Sequence, residues 1–317
     1  GHVGADTAGV ILSEEPQLQD QMTLLVDVGT NAEIVLGNRQ RLLACSSPTG
    51  PAFEGAQISC GQRAANGAIE RVRIDPETLE PRFKVIGSDL WSDQAGFEQS
   101  IDSHGVTGIC GSGIIEVVAE MYLAGIVTED GIIDGGLAAR TSRVSQNGRT
   151  WSYSLHSSAS EESAVEITQN DIRQIQLAKA ALYAGVKLLM DHIGTQKIER
   201  IRLAGAFGSH INVQHAMVLG LIPDCALDQV SSAGNAAGTG ARIALLNQQS
   251  RTAIETLVKN IEKIETAMEK KFQDYFVDAM AFPNKTDDFP HLFSQVARPE
   301  PKGTLASTGA SRKRRRR

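Results

Sequence analysis

The stretch LLVDVGTNAEIVLG, residues 24–37, decides the fold that the sequence predicts. Two apolar runs flank a tight turn at Gly29, Thr30 and Asn31, and Asp27 stands just before that turn, a pattern typical of a β-hairpin. Backbone N–H groups at such a tip can bind a phosphate, while the carboxylate holds a hydrated Mg²⁺. The alternative is an ordinary hairpin in which Asp and Asn side chains satisfy the turn amides.

Two later segments repeat the association of an apolar strand with a glycine-rich turn. Residues 199–212, ERIRLAGAFGSHIN, predict a buried strand followed by the turn Gly205–Gly208 and a helix start. Residues 231–247, SSAGNAAGTGARIALLN, predict a small-residue loop that enters a helix with Asn235 as its N-cap. Glycine turns after strands are where α/β folds bind ligands, so the three turns together indicate a nucleotide cleft. The alternative for the two later turns is close packing of a helix on a strand through small side chains.

Composition limits the classes of protein that this chain can be. Its 317 residues, 41% hydrophobic and 21% charged, suit one large or two modest soluble domains. No apolar run reaches the roughly 18–20 residues needed to cross a bilayer, and no signal-peptide pattern opens the chain. The cysteines stand far apart with no CxxC pair, which argues against a local metal cluster and favours a reducing, cytoplasmic setting.

The charge is distributed unevenly along the chain. The net charge of −6 includes +6 from the final RKRRRR, so residues 1–311 carry −12. An acidic body disfavours nucleic acid as a partner, and we expect neither nucleic acid nor a membrane to bind. For the basic tail, a solvated segment is the simpler interpretation, and binding to an acidic partner or nucleic acid is the alternative. The sequence therefore predicts one folded lobe over residues 1–290 and a disordered basic tail over residues 291–317.

Periodicity and turn residues predict an α/β lobe with a mixed sheet and flanking helices. Thr168 and Asp171 form a capping-box-like pattern that opens a long helix ending near Ile193, and Gly194 can cap its end. Asn147-Gly148 predicts a hairpin. The other predicted elements are a helix at 1–12, strands at 24–28, 32–37, 41–46, 68–75 and 82–87, and helices at 51–61, 114–125, 249–265 and 268–280.

A further glycine-rich turn, GICGSG at residues 108–113, precedes a predicted helix. Because Gly111, Ser112 and Gly113 stand at a helix start, they are a candidate anion site. The alternative is a tight packing turn. For Cys110 a buried thiol is the simpler interpretation than a redox group.

Six motifs follow one another along the chain: LLVDVGTNAEIVLG, LLACSSPTGPAFEGAQI, GICGSGIIEVVAEM, ITQNDIRQIQLAKAAL, LAGAFGSHIN and SAGNAAGTGA. Together they resemble the C-terminal part of the reductive activators of corrinoid proteins (RACo-type). These activators belong to the actin/sugar kinase/Hsp70-like superfamily, so the resemblance implies an RNase H-like lobe. It covers roughly residues 1–285.

This resemblance implies an ATP-dependent activity. Family members reduce an inactive cob(II)alamin-type corrinoid to the cob(I) state on a corrinoid methyl-carrier protein. Electrons come from a 2Fe-2S ferredoxin-like domain, and ATP hydrolysis drives the uphill transfer. The resemblance therefore implies ATP and Mg²⁺ as cofactors, a corrinoid protein as partner, and a homodimer.

The resemblance also implies roles for residues in the motifs. The segment from Asp27 to Asn31 resembles the second phosphate loop, in which Asp27 would hold Mg²⁺ through water and Glu33 would orient the attacking water. LAGAFG resembles the adenosine loop, and GNAAG resembles the second connecting segment between lobes. The candidate nucleotide-binding residues in these motifs are Gly29, Thr30, Asn31, Gly205, Ala206, Phe207, Gly208, Gly234 and Asn235.

The chain departs from the family pattern in two ways. It has no first phosphate loop of the DIGTTT type and no four-cysteine cluster signature. We therefore expect the C-terminal piece of a longer protein, with the 2Fe-2S cluster in the missing N-terminal part. Alone, such a fragment would bind Mg²⁺–ATP weakly and hydrolyse it negligibly. Two alternatives remain: a sugar or acyl kinase lobe of the same superfamily, and a non-enzymatic docking module.

Overall fold

A six-stranded sheet organises the computed structural model, which describes residues 3–157, 164–208 and 210–299. Strand order in this sheet is β11-β10-β1-β2-β3-β12. The first three strands of the chain form the predicted antiparallel meander, and β10 and β11 run parallel to β1. The strands are β1 Thr23–Val28, β2 Ala32–Gly37, β3 Leu42–Ser47, β4 Ala68–Ile74, β5 Pro81–Val85, β6 Gly108–Ile109, β7 Val144–Asn147, β8 Thr150–His156, β9 Val165–Thr168, β10 Arg200–Ala204, β11 Val230–Gly234 and β12 Glu262–Lys263.

Helices cover both faces of this sheet. They are α1 Ala5–Glu14, α2 Phe97–Ser100, α3 Gly111–Leu123, α4 Gln169–Ile193, α5 Gly205–Gly208, α6 Val213–Val218, α7 Ala236–Leu246, α8 Gln248–Leu257, α9 Phe272–Asp278 and α10 Pro290–Phe293. Among the described residues, no helix is both long and apolar enough to span a bilayer. Two smaller sheets, β5-β4-β6 and β7-β8-β9, flank the main one.

Side chains alternate along β1 between two cores, as the two-residue period of a strand requires. Leu24 and Val26 belong to the larger core, which also contains the buried side of α4. Leu25 belongs to the smaller core, beneath α1, α7 and α8. This placement on both faces explains why the strand reads as a nearly continuous apolar run.

The start of α4 is confirmed in detail. The Thr168 hydroxyl accepts a hydrogen bond from the Asp171 N–H at 3.2 Å, and the Asp171 carboxylate accepts one from the Thr168 N–H at 2.8 Å. Gly194 ends the helix in the left-handed conformation, also as predicted. Local sequence therefore determines both ends of this 25-residue helix.

A polar stripe with a spacing of four residues runs along α4 and holds the C-terminal part of the chain. Lys179 is fully buried, and its ammonium donates to the carbonyl oxygens of Ala281 and Pro283. One and two turns further on, Tyr183 and Lys187 both contact the carboxylate of Asp287, at 2.7 and 3.0 Å. In the next turn Asp191 accepts hydrogen bonds from Lys271 and Tyr275. Residues 271–287 are thus attached by hydrogen bonds as well as by apolar contacts.

Several predicted elements differ from the observed ones. The helix predicted at 51–61 is a single 3₁₀ turn, Ala52–Glu54, because Gly55 takes a positive φ of 88° and ends it. The helix predicted at 249–265 stops at Leu257, and Glu262–Lys263 instead pairs with β3. Residues 268–280 contain only the shorter α9.

Four of the described strands, β6, β9, β11 and β12, were not predicted from the sequence patterns, and the predicted domain boundary falls within a helix. Val230–Gly234 is a strand although its composition predicted a loop, and β9 was not predicted. At the predicted domain boundary after residue 290, α10 continues to Phe293 with Leu292 fully buried. Residues 300–317 of the predicted tail lie outside the described residues.

Candidate functional site

One row of residues crosses the main sheet where its parallel strands end. In the pairing register, Glu33 on β2 lies beside Asp27 on β1, Asp27 beside Ala204 on β10, and Ala204 beside Gly234 on β11. Because β1, β10 and β11 are parallel, their carboxyl ends share one edge of the sheet. The three glycine-rich turns therefore converge at that edge, as predicted.

Asp27 and Gly205 are in direct proximity. Gly205 follows β10 with a positive φ of 86°, and a Cβ atom placed on it would lie 2.5 Å from Asp27 Oδ1. A side chain at position 205 would therefore both strain the backbone and displace the carboxylate. The hairpin and the predicted adenosine loop therefore lie next to each other at this edge, and the space beside them is the candidate nucleotide cleft.

The cleft concentrates negative charge at this edge. Burial raises the pKa of Asp27 above its ordinary value of 3.8, and the nearby carboxylate of Asp6 raises it further. Burial also raises the pKa of Glu33, with Asp27 as the second cause, while a hydrogen bond from Ser46 acts in the opposite direction. Partly buried carboxylates placed side by side repel each other, so a cation bound here would relieve the repulsion.

The raised pKa of Asp27 predicts how the stability of the fold depends on pH. Since the folded-state pKa of Asp27 is raised, stability falls as pH rises through the interval between the ordinary value of 3.8 and the folded value. We expect Asp27→Asn to raise the thermal unfolding midpoint at pH 7, and the gain to shrink as the pH approaches 4. Added Mg²⁺ should stabilise the parent more than the variant. Asp102→Asn, at an exposed loop carboxylate, is the control and should leave the midpoint unchanged at both pH values.

A lower midpoint for Asp27→Asn at pH 7 would show that the carboxylate is stabilised by its surroundings, contrary to the direction of its pKa shift. Equal stabilisation of both proteins by Mg²⁺ would place the cation elsewhere.

The hairpin tip is braced from one side and open on the other. The Thr49 hydroxyl donates to the carbonyl oxygens of Gly29 and Thr30, at 2.7 and 3.0 Å. The Gly29 N–H donates to the Asn31 carbonyl, so a backbone group rather than an Asx side chain closes the turn. Thr30 and Asn31 are exposed, and the Thr30 hydroxyl donates to Glu54 at 3.0 Å. The tip is therefore held in place while its polar side chains remain accessible.

The third turn leads into α7. Gly234 has a positive φ of 59° with open space around it, and the Asn235 side chain caps α7 by accepting from the Gly238 N–H at 2.9 Å. The body of α7 packs closely on α1, where Gly9 lies against the backbone of Ala237. This contact brings the start of α1, and with it Asp6, into the neighbourhood of Asp27.

Other predicted site residues have packing roles. A Cβ on Gly208 would lie 2.9 Å from the carbonyl carbon of Leu203, so its small size serves close packing of α5 on β10. Gly113 is in the same way pressed against Ile69, at the start of α3. The side chains of Ala206 and Phe207 lie outside the described part of the structure.

The glycine-rich turn at residues 108–113, before α3, makes no contact with Asp27 among the hydrogen bonds described for it. Ser112 is buried, and its hydroxyl lies 3.4 Å from the thiol of Cys110, which also contacts the Ile69 carbonyl. These contacts account for the turn by packing. An anion site at Gly111, Ser112 and Gly113 stays a prediction.

The structure brings two further acidic residues near the candidate cleft: Asp6, to which the sequence gave no site role, and Glu54, which the sequence placed facing either solvent or the cleft. Asp6 was assigned only to a helix, and its position in the first turn of α1 is a signal for helix stability rather than for a site. Glu54 belongs to a 3₁₀ turn, and the Thr30 hydroxyl that donates a hydrogen bond to it lies 24 residues away in the chain. Only the tertiary fold places either residue.

The donor set suits one kind of cation better than others. Within residues 3–157, 164–208 and 210–299, no group of three or more His, Cys, Asp or Glu side chains is arranged to hold a metal directly. Mg²⁺ commonly keeps most of its waters and takes one or two carboxylates plus phosphate oxygens. Asp27 fits that role, with Glu33 as its neighbour.

An antiparallel meander continued by two parallel strands, with helices on both faces and a cleft at the strand ends, defines the actin/sugar kinase/Hsp70-like (ASKHA) class of fold. A family model described as the C-terminal domain of RACo, the ASKHA domain, matches residues 21–293. The chain belongs to this family.

Relatives with assigned roles are similar over most of this chain. The corrinoid activation enzyme RamQ of Eubacterium limosum is 33% identical over 290 residues, which are 88% of this chain and 46% of that protein. A Co(II) methylated amine-specific corrinoid protein reductase of Methanosarcina barkeri is 25% identical over 291 residues, 88% of this chain and 49% of its own length. The chain thus spans about half the length of the curated relatives it matches.

A solved structure resembles the fold as well. The reductive activator for a corrinoid, iron-sulfur protein superposes with a TM-score of 0.78 at 33% identity, covering 93% of this chain and 44% of that one.

Proposed function

We propose that this chain is the nucleotide-binding and dimerisation part of an ATP-dependent reductive activator of a corrinoid protein. The observation that carries the proposal is the row of Glu33, Asp27, Ala204 and Gly234 across the sheet edge, which brings the three predicted nucleotide loops together. The names of the relatives supply the substrate class. Electrons would come from a 2Fe-2S domain outside these residues.

Each loop has a distinct task in this proposal. Asp27 would hold hydrated Mg²⁺, which neutralises phosphate charge when bound. Glu33, half-buried beside it, would accept a hydrogen bond from the attacking water. Thr30 and Asn31 would bind phosphate oxygens from the open side of the hairpin tip. Such an arrangement acts by positioning and charge stabilisation, which is how phosphoryl transfer is catalysed in general.

The remaining loops would hold the other end of the nucleotide. The turn Gly205–Gly208 lies where the adenosine would approach the sheet edge, and Gly234 with Asn235 would connect the cleft to α7. Differential binding of ATP and ADP would then shift the equilibrium between open and closed arrangements of two lobes. That motion would couple hydrolysis to reduction of the corrinoid.

The decisive experiment is calorimetric titration with Mg²⁺–ATP, followed by titration with the corrinoid protein. We expect weak nucleotide binding by the 317-residue chain, and measurable hydrolysis only when an upstream lobe supplies a first phosphate loop. Binding of a sugar or an acyl acid but not of a corrinoid protein would favour the kinase alternative. Failure of a protein containing both lobes to bind nucleotide would refute the proposal.

All four cysteines are free, in keeping with the cytoplasmic setting expected from their spacing.

We also propose a homodimer formed through the C-terminal half. Large apolar side chains are exposed there, among them Leu245 at 75% and Leu246 at 84% at the end of α7. We expect the parent to sediment as a dimer at micromolar concentration and the double variant Leu245→Ser/Leu246→Ser as a monomer, because burial of such side chains drives association. Deleting residues 303–317 should change neither folding nor association.

Leu177→Ser is the matched control for this interface, since Leu177 is 40% exposed on α4, in a different part of the molecule. A parent that sediments only as a monomer would rule out the dimer, and loss of the dimer in the control variant would move the interface to α4.

A further inference from the structure

A fully buried carboxylate joins α3 to the second sheet. Glu116 is 0% exposed, and its Oε1 accepts from Arg71 Nη1 at 2.9 Å. Its Oε2 accepts from Arg73 Nη1 at 2.6 Å and from the Val72 N–H at 2.9 Å. Charge-assisted bonds to both oxygens compensate the cost of burying this charge and fix both arginines in place.

One of these arginines also contacts the chain that follows the predicted adenosine loop. Arg71 Nη1 donates to the carbonyl oxygen of His210 at 3.1 Å. His210 stands two residues after Gly208, the last residue of α5. The guanidinium therefore links the buried Glu116 carboxylate to the backbone that leaves the predicted adenosine loop.

A second contact holds the next part of the same segment. The Nε2 atom of His215, in α6, lies 2.7 Å from the Oε1 atom of Glu120. Glu120 stands on α3, one turn after Glu116. The other Glu120 oxygen accepts from the Ile74 N–H at 3.0 Å. The two carboxylates of α3 thus accept the N–H groups of β4 at Val72 and Ile74, beyond the residues of β4 that pair with β6. The same carboxylates also hold the chain that follows α5, through Arg71 and His215.

We propose that Arg71, held by Glu116, is a positioning residue for the turn Gly205–Gly208. This inference rests on the proposed function, since it assigns the turn to nucleotide binding. A four-residue helix has little stability of its own, so contacts at its two ends determine where it lies. At one end Gly205 abuts Asp27, and at the other Arg71 binds the carbonyl of His210.

The consequence is an effect on affinity by a residue that need not touch the nucleotide. A loop that is ordered before the ligand arrives loses less conformational entropy on binding. Releasing the His210 carbonyl from Arg71 would remove one of the contacts that hold the chain after the turn, while the contact of His215 with Glu120 would remain. Nucleotide affinity should fall while the phosphate side of the cleft, on β1 and β2, keeps its geometry.

The test uses a protein that contains both lobes, as the parent and as the variants Arg71→Met and Arg71→Lys, with Arg82→Met as the matched control. Arg82 lies opposite Arg73 in the register of β4 and β5, and its side chain is exposed. Its guanidinium forms an ion pair with Asp93 at 3.7 Å. Hydrogen–deuterium exchange of residues 205–208 and 210–218 reports on local opening of the turn and of the segment that follows it, without any ligand. Calorimetry with Mg²⁺–ADP reports on affinity.

We expect Arg71→Met to accelerate exchange in residues 205–208 and 210–218, to leave exchange in residues 24–36 unchanged, and to weaken Mg²⁺–ADP binding about tenfold. Arg71→Lys keeps the charge next to Glu116 but not the planar fork, so it should give a smaller effect of the same kind and remains informative if the methionine variant is poorly folded. Arg82→Met should behave like the parent.

Unchanged exchange in both Arg71 variants would overturn the inference. Faster exchange with unchanged nucleotide affinity would also overturn it, since the segment would then move without consequence for the site. If the parent itself bound no nucleotide, the proposed function would fail, and the exchange measurement alone would decide whether Arg71 positions the turn.

Discussion

Replacing Asp27 by alanine is expected to abolish ATP hydrolysis in a protein that contains both lobes, lowering the rate by at least about 100-fold. Asp27 lies near the end of β1 beside Gly205, where the proposed function places Mg²⁺. Mg²⁺ would then lose its protein ligand, and phosphate charge would be neutralised less well. Phosphate release and the cob(I) absorbance spectrum are the two measurements.

Two controls make this result specific. Asp20→Ala removes a carboxylate that is 79% exposed and paired with Arg39, and it should hydrolyse ATP like the parent. Binding of the corrinoid protein should survive Asp27→Ala if docking and hydrolysis are separable. Full reactivation of the corrinoid by Asp27→Ala would show that the hairpin tip is structural only.

Gly205→Val is expected to weaken Mg²⁺–ATP binding by at least about tenfold and to destabilise the fold by about 1–3 kcal/mol, because the residue combines a positive φ with a blocked Cβ position. The valine would have to displace the Asp27 carboxylate, whose Oδ1 lies 2.5 Å from that position. Calorimetry measures the affinity, and thermal unfolding measures the stability.

Gly148→Val separates the two causes. Gly148 has a positive φ of 59° at the tip of the β7–β8 hairpin, with open space where a Cβ would lie. It should share the backbone cost but leave nucleotide binding intact. Adding Asp27→Ala to Gly205→Ala should recover part of the stability that Gly205→Ala loses, since the obstructing carboxylate is then gone. Additive effects in this pair would mean that the two residues are not in contact in solution.

Where the signal in the sequence is local, prediction and structure agree. The capping box of Thr168 with Asp171, the Asn147-Gly148 hairpin and the meander of β1, β2 and β3 each depend on residues that are neighbours in the chain. Periodicity and turn chemistry report such contacts directly.

Where the structure depends on distant partners, the patterns failed. Glu262–Lys263 is polar and exposed, and it is a strand only because β3 offers an edge beside it. The helix predicted through this segment was wrong for that reason. Val230–Gly234 has the composition of a loop and becomes a strand by pairing with β10.

The candidate site divides along the same line. Three glycine-rich turns and Asp27 could be identified in the sequence, because each motif is continuous and each turn needs particular residues. Their convergence was an expectation that the parallel register of β1, β10 and β11 now accounts for. The approach of Asp6 to Asp27, and of Arg71 to the His210 carbonyl, had no signal at all.

The sequence by itself determined the strands, helices and turns whose stabilising contacts lie within a few residues, together with the identity of the groups available for chemistry. Tertiary structure alone decided which distant groups come together: the carboxylate of Asp6 with that of Asp27 at one sheet edge, and the arginines around Glu116. The physical reason is that hydrogen bonds of turns and caps act between chain neighbours. Charges and packed glycines act through space, and only the folded chain sets those distances.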